Sequence, residues 1–228
     1  MPPKRNNKRK QGYNKRKPKV QKPLSVGVPR TQMVKLRYTD MFSLDGGIDE
    51  AAYRSYNLNG MYDPDRTTGL LQGQPFGFDQ MMALYSRYTV LGAKVTLSAQ
   101  PTSSSSTAGR SYIGLTVNNN IVFPTAINNI LGKRSTTYRP MAATGGGPAS
   151  TVVRFNWSAR RFFGVPKKDS MVAQQGYFGS ASADPSRLAV LHVWACGANE
   201  TVDPAPVDLL LKIEYIAVFT EPISLNES

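Results

Sequence analysis

Period-two alternation of apolar and polar residues, recurring between residues 33 and 220, is the feature that most limits what this chain can fold into. In residues 33–44 the even positions Val34, Leu36, Tyr38, Phe42 and Leu44 are apolar, with Asp40 the exception. Lys35, Arg37, Thr39 and Ser43 lie between them. Such a segment is a strand with one wet face, because successive side chains point to opposite sides of a sheet. Residues 52–59, 88–99, 111–117, 134–140 and 151–158 read the same way with varying clarity. Residues 188–196 are apolar on both faces, as a central strand would be. The last segment, 207–220, places Val207, Leu209, Leu211, Ile213, Tyr215, Ala217 and Phe219 on one side.

Eight strand candidates without strand–helix alternation argue against a parallel α/β sheet. They predict an all-β fold: an eight-stranded antiparallel sandwich wired as a single jelly roll. Helical spacing is convincing only in residues 79–88, where Met81, Leu84, Tyr85 and Tyr88 follow a potential Asp79 cap. Single turns fit residues 126–131 and 159–163, so one or two short helices in loops are expected. No apolar run approaches the roughly 20 residues that span a bilayer. No apolar segment follows the basic residues after Met1, so no secretory signal is expected.

Charge divides the chain in two. Residues 1–30 carry Lys4, Arg5, Lys8, Arg9, Lys10, Lys15, Arg16, Lys17, Lys19, Lys22 and Arg30 and no acid, a charge of +11. The other 198 residues hold 17 basic and 15 acidic side chains, leaving +2. The first 30 residues include five prolines and almost nothing apolar, so they cannot bury enough surface to offset ordering entropy. They are expected to form a disordered basic arm, with residues 31–228 as the folded domain. A solubilising charge run needs an opposite face to solvate, and this one has none; a polyanion partner accounts for it better. Tyr13 adds one ring that could stack on a base.

The usual catalytic and metal chemistries lack their side chains. A lone cysteine, Cys196, excludes an internal disulfide and any multi-cysteine zinc site, and a lone histidine, His192, excludes a histidine cluster. A cupin-like oxygenase is therefore excluded, as is a replication endonuclease with a His-x-His pair. The chain is read as a non-enzyme without cofactor or metal. Both residues sit in apolar strand surroundings and read as structural. Gly145-Gly146-Gly147 leads into proline and a strand rather than a helix start, so it is a loop and not a phosphate cradle. The serines at 103–106 read as a polar loop tip. Asp63-Pro64-Asp65 could offer two carboxylates to calcium from neighbouring subunits, but its commoner meaning is a capped turn.

One stretch is distinctive. Asn59-Gly60-Met61-Tyr62-Asp63-Pro64-Asp65 leads through Thr68-Gly69 to Gly73-Gln74-Pro75-Phe76-Gly77-Phe78-Asp79-Gln80, followed by Tyr85, Tyr88, Val90, Gly92 and Lys94. This pattern resembles the capsid proteins of small circular Rep-encoding single-stranded DNA viruses, the circovirus-like group. The likeness in motifs covers residues 35–98, and the order of parts agrees too: basic arm, eight-stranded body, and this segment between the second and fourth strands. The resemblance implies a jelly roll that self-associates into an icosahedral shell, single-stranded DNA as its cargo, and residence in the virion. It also implies passage through the host nucleus, for which Lys15-Arg16-Lys17-Pro18-Lys19 resembles an import signal read by host import receptors.

The magnitudes suit packaging. A minimal shell of about 60 copies would carry roughly 660 arm charges, each able to pair with a phosphate. A genome of about one to two thousand nucleotides would be neutralised only in part. At up to ~3.3 Å per residue, the arm could reach far into an enclosed volume. A capsid protein of a small positive-strand RNA virus shares both arm and jelly roll, and phosphate chemistry does not separate the two. A chromatin or ribosomal protein would instead need a basic or aromatic face on a body that balances at +2. Tyr62, Phe76, Phe78 and Arg87 are candidates to face neighbouring subunits, with core packing the competing role.

Overall fold

Strands near the two ends of the sequence lie side by side. β1 (Thr31–Leu44) and β9 (Val207–Pro222) pair antiparallel from Thr31 against Thr220 to Leu44 against Val207. Leu36, Tyr38, Phe42 and Leu44 of β1 and the odd positions of β9 are buried, while the alternate positions face outward. The computed structural model describes residues 27–48, 50–67, 73–102, 109–141, 150–165, 168–197 and 203–223, with side chains for all of these but 168–170.

The other strands are β2 (Ala52–Asn57), β3 (Tyr85–Pro101), β4 (Ser111–Asn118), β5 (Thr136–Met141), β6 (Thr151–Ser158), the two-residue β7 (Phe178–Gly179) and β8 (Val190–Gly197). One sheet runs β1-β9-β3-β6, with β7 joined to β3, and the other runs β2-β8-β4-β5. All pairings between these strands are antiparallel. Apart from β7, consecutive strands switch sheet at every step except β4 to β5, which is the wiring of a single jelly roll. Leu36, Val95, Leu97, Ile113, Leu115, Val153, Leu191, Val193, Leu211 and Ile213 meet between the sheets in one core.

The sheets differ on their outer faces. β8 is buried along its whole length. Leu191, Val193 and Ala195 enter the main core, while Trp194 and Cys196 pack on the far side against Ala51, Phe123 and Ile130. The short helix α2 (Ile127–Leu131) and its flanking loop thus roof the β2-β8-β4-β5 sheet. β9 lies just as centrally in its own sheet yet alternates from Val207 to Phe219, because nothing comparable among the described residues covers that sheet.

Three further short helices complete the described residues: α1 (Phe78–Met82), α3 (Ala159–Phe163) and α4 (Lys168–Ala173). The total of four exceeds the one or two expected, α4 being the one without a sequence signal. The helix expected over 79–88 is corrected too. α1 starts from Gly77 in the left-handed region (φ 87°) with no side-chain cap, and β3 takes over at Tyr85. Tyr85, Tyr88, Thr89 and Val90 are better used in a strand, where they pair with the far end of β9. A register shift between Val90 and Gly92 changes which positions face inward. Below it Tyr88 and Val90 are buried, above it Ala93, Val95 and Leu97. The helical spacing over 79–88 arises earlier, where buried Met82 of the short helix is followed closely by Tyr85 and Tyr88, both buried in the strand. No helix among the described residues is long and apolar enough to cross a membrane.

Candidate assembly and nucleic-acid interface

The arm cations Lys4, Arg5, Lys8, Arg9, Lys10, Lys15, Arg16, Lys17, Lys19 and Lys22, with Tyr13, lie outside the described residues. So do Thr68-Gly69, the serines at 103–106 and Gly145-Gly146-Gly147. The arm's root is visible. Val28 packs against the core, the Tyr85 hydroxyl donates to the Pro29 carbonyl at 2.9 Å, and Arg30 is exposed immediately before β1. The arm therefore joins the body at an edge strand of the unroofed sheet.

The motif segment is held by a half-buried carboxylate from a remote loop. Asp184 Oδ1 accepts from the Tyr88 hydroxyl at 3.0 Å and from the Tyr62 amide at 3.1 Å, and Oδ2 accepts from Asn57 Nδ2 at 2.8 Å. The Tyr88 oxygen in turn accepts from the Met61 amide at 3.0 Å. Gly60 is required by contact distance, since a Cβ there would stand 2.6 Å from the Asp184 carboxyl. Asn59 spans to the same remote segment, donating to the Arg187 carbonyl and accepting from the Ala189 amide. Gln74 donates to the Tyr62 carbonyl at 3.2 Å, tying the second half of the motif to the first. Burial holds the Asp184 pKa above the ordinary carboxylate value, outweighing the hydrogen bonds from Tyr88 and Tyr62 and the charge of Arg66. Burial raises that of Asp63 as well, with Asp184 as the nearby like charge.

The two carboxylates of Asp63-Pro64-Asp65 do not form a common cation site. Asp65 is fully buried; its Oδ1 accepts from the Thr67 amide at 2.8 Å, a side-chain-closed turn, and its Oδ2 lies 3.8 Å from Arg54 Nη1. No cluster of three or more metal-ligating side chains occurs among the described residues. Of the four residues weighed as subunit contacts, Phe78 is core and Tyr62 is half-buried in the Asp184 network. Arg87 is tied to Glu221 at 2.6 Å and lies 4.3 Å from the Phe178 ring centroid. Phe76 alone of the four points away from the body, 90% exposed, although its own amide is fixed to the Arg37 carbonyl at the outer edge of β1.

His192 is buried and fully partnered. Its Nε2 lies 3.0 Å from both Asn118 Oδ1 and the Asn120 carbonyl, two oxygens that require it to carry the proton, and Nδ1 then accepts from the Ser55 hydroxyl at 2.8 Å. The ring stacks on Phe123 at 4.6 Å. Burial is the main cause lowering its pKa to about 4; the Asn120 contact opposes it and Lys133 adds to it. In the unfolded chain the ring protonates near 6.5, so this group's stabilisation is present above that value and is lost as pH falls toward about 4. A gap of that size corresponds to roughly 3 kcal/mol. The acid-induced loss between those values is expected to shrink by about that amount in His192→Gln relative to wild type, read by denaturant titration at each pH. Equal slopes in both proteins would remove the assignment. Cys196 is a buried thiol whose pKa burial pushes up to about 12, far from a reactive thiolate.

Sequence reasoning missed Asp184, the hub of the network, because nothing in residues 180–188 signals contact with a segment some 120 positions earlier. Architecture and wiring together define an all-β jelly roll with a basic segment entering through an edge strand. No family model matches the chain, and no curated protein matches it. Among solved structures it is similar to that of Desmodium yellow mottle tymovirus, at 14% identity over 93% of this chain and 99% of that one, with a TM-score of 0.44. It is also similar to tobacco necrosis virus, at 14% identity over 87% and 86% with a TM-score of 0.46. A third similar structure is the 60-mer BFDV capsid protein, at 10% identity over 87% and 98% with a TM-score of 0.42.

Proposed function

We propose that this chain is a viral capsid protein whose jelly-roll domain tiles with copies of itself into a closed icosahedral shell. Its basic arm packages single-stranded DNA. One observation carries the reading: +11 of the chain's +13 precedes residue 31, on an arm rooted in an edge strand of a body close to neutral. A body with little net charge can pack against its copies without strong repulsion, while the arm supplies sequence-indifferent phosphate binding. The residues that grip nucleic acid are Lys4, Arg5, Lys8, Arg9, Lys10, Lys15, Arg16, Lys17, Lys19 and Lys22. The same cluster serves nuclear import before assembly, and the working location is the virion. The resemblance of the motif segment to circovirus-like capsid proteins supports DNA as the cargo and about 60 copies as the shell.

Electron microscopy of the purified full-length protein tests the reading. Closed, uniform particles are expected, and a monomer persisting at high concentration across several salts would overturn it. Nuclease sensitivity of nucleic acid extracted from particles separates DNA from RNA. Phe76, an exposed aromatic on a tethered loop, is the strongest candidate anchor between subunits. Phe76→Asp is expected to leave the circular dichroism spectrum unchanged and to abolish closed particles. Normal particle yield from that variant would clear Phe76 of the role.

A further inference from the structure

The body's overall +2 conceals a segregated face. In the unroofed sheet, strand register aligns Arg37, Glu214, Lys94 and Asn156 in one row across β1, β9, β3 and β6. Thr39, Lys212, Thr96 and Arg154 form the next row. All lie on the outward side of the sheet, and Lys35, Arg37, Lys94, Arg154 and Lys212 are exposed. The face has two carboxylates, Glu214 and Asp208. Glu214 is engaged at 3.8 Å by both Lys35 and Arg37, and Asp208 accepts from the Ser43 hydroxyl at the far end. Among the described residues, Lys94, Arg154 and Lys212 have no ion-pair partner.

We infer that this face is a second contact for single-stranded nucleic acid, laid against the shell domain beside the arm. The inference rests on the packaging role proposed above and adds the surface on which the cargo lies. Three observations favour a polyphosphate chain as the occupant. Strand spacing of about 4.8 Å separates the Lys212 and Arg154 positions, two strands apart, by about 10 Å, and Lys94 stands one side-chain repeat away along β3. An extended polyanion can engage all three at once along the face. The arm's root leads into β1 of the same sheet, so the arm and this face share one edge strand. Finally, the next row continues into an open groove of about 580 Å³. It is floored by Met41 and Leu210, Ser98 and Gln100 add polar groups, and Asp208, its carboxylate engaged by the Ser43 hydroxyl, lines it as well. Met41 is 77% exposed. An apolar floor with an amide at its side suits an unstacked base, whose faces are apolar and whose edges are polar. The opposite sheet offers no such plane, being roofed by α2 and its loop.

Full-length protein and a fluorescein-labelled oligodeoxythymidine supply the test. Lys94→Gln/Arg154→Gln/Lys212→Gln removes three phosphate contacts. The slope of log affinity against log salt is therefore expected to fall in magnitude by about 2, at about 0.7 per contact. Particle formation and the circular dichroism spectrum should stay as in wild type. Arg110→Gln/Arg134→Gln/Arg139→Gln removes the same charge from exposed positions on and around the other sheet, and should leave the slope nearly unchanged. Equal falls in both triple variants would mean bulk charge alone and would overturn the inference, as would no fall in the first. Lost particles with an unchanged slope would make the face a subunit contact instead, and would likewise overturn it. Lys15→Gln/Arg16→Gln/Lys17→Gln separates the two readings: no effect there would sink the arm's role and leave the face standing. Photocrosslinking with a 5-iodouracil oligonucleotide provides a readout that needs no substitution. Adducts on Met41 or on the outward residues of β1 and β9 are expected, and adducts confined to residues 1–30 would overturn the inference.

Discussion

Particles assembled from a chain whose ten arm cations Lys4, Arg5, Lys8, Arg9, Lys10, Lys15, Arg16, Lys17, Lys19 and Lys22 are all glutamine should contain no nucleic acid. Their absorbance ratio at 260 and 280 nm should be that of protein alone. If about seven phosphates engage each wild-type arm and three more the cationic face, the salt slope is near 7, and binding weakens more than about ten-thousandfold between roughly 50 and 200 mM salt. The variant keeps the body's +2 and its one cationic face, so it should bind far more weakly and with a slope nearer 2 to 3. The substituted residues all precede residue 27, where the described body begins, and the circular dichroism of the body should be unaltered. Variant particles that carry wild-type absorbance at 260 nm would show that the arm does not package the cargo.

Strands were legible where a sheet face meets water and less so elsewhere. β1 and β9 alternate because no described residues cover the outer face of their sheet, and the expected segment 151–158 coincides with β6. β8 carries apolar residues on both faces because a loop and α2 roof it, and the double-sided run marked it as central. Local spacing misled at 79–88, where pairing of Tyr85, Arg87 and Tyr88 with the far end of β9 ends the helix after one turn. β7, at two residues, is too short to leave any periodic signal. Composition could not reveal the cationic face either. Lys94, Arg154 and Lys212 are scattered through the sequence and become neighbours only through strand register. The motif was legible as a pattern, but its reason was not: Tyr62, Gly60 and Tyr88 all answer to Asp184, which the topology brings in from far along the chain.

Asp184→Ala is the substitution that should damage the body most. It strands three buried or half-buried donors: the Tyr88 hydroxyl, the Tyr62 amide and Asn57 Nδ2. Each unsatisfied donor costs about 1–3 kcal/mol. Asn57 keeps the Asp63 carbonyl as a second acceptor, at 2.7 Å, and the variant is relieved of a buried charge. A net loss of about 3–5 kcal/mol follows, a large share of the stability of an ordinary domain. Asp184→Asn retains one acceptor oxygen and should lose about 1–2 kcal/mol near neutral pH. The pH dependence carries a definite sign. Folding raises the Asp184 pKa above 3.8, so the fold favours the protonated acid. That contribution is complete below 3.8 and is lost as pH rises through the folded value. Wild type should therefore exceed Asp184→Asn by most in acid and by less toward neutrality, in denaturant titrations of the dissociated subunit. Stabilities within about 0.5 kcal/mol of wild type for both variants, the ordinary range for an inconsequential surface change, would refute the hub. Assembly should fail alongside stability, because Tyr62, held by Asp184, anchors Gln74 and with it the loop that presents Phe76. Loss of particles from Asp184→Ala under conditions where the subunit is still folded would tie the half-buried carboxylate to the contact it never touches.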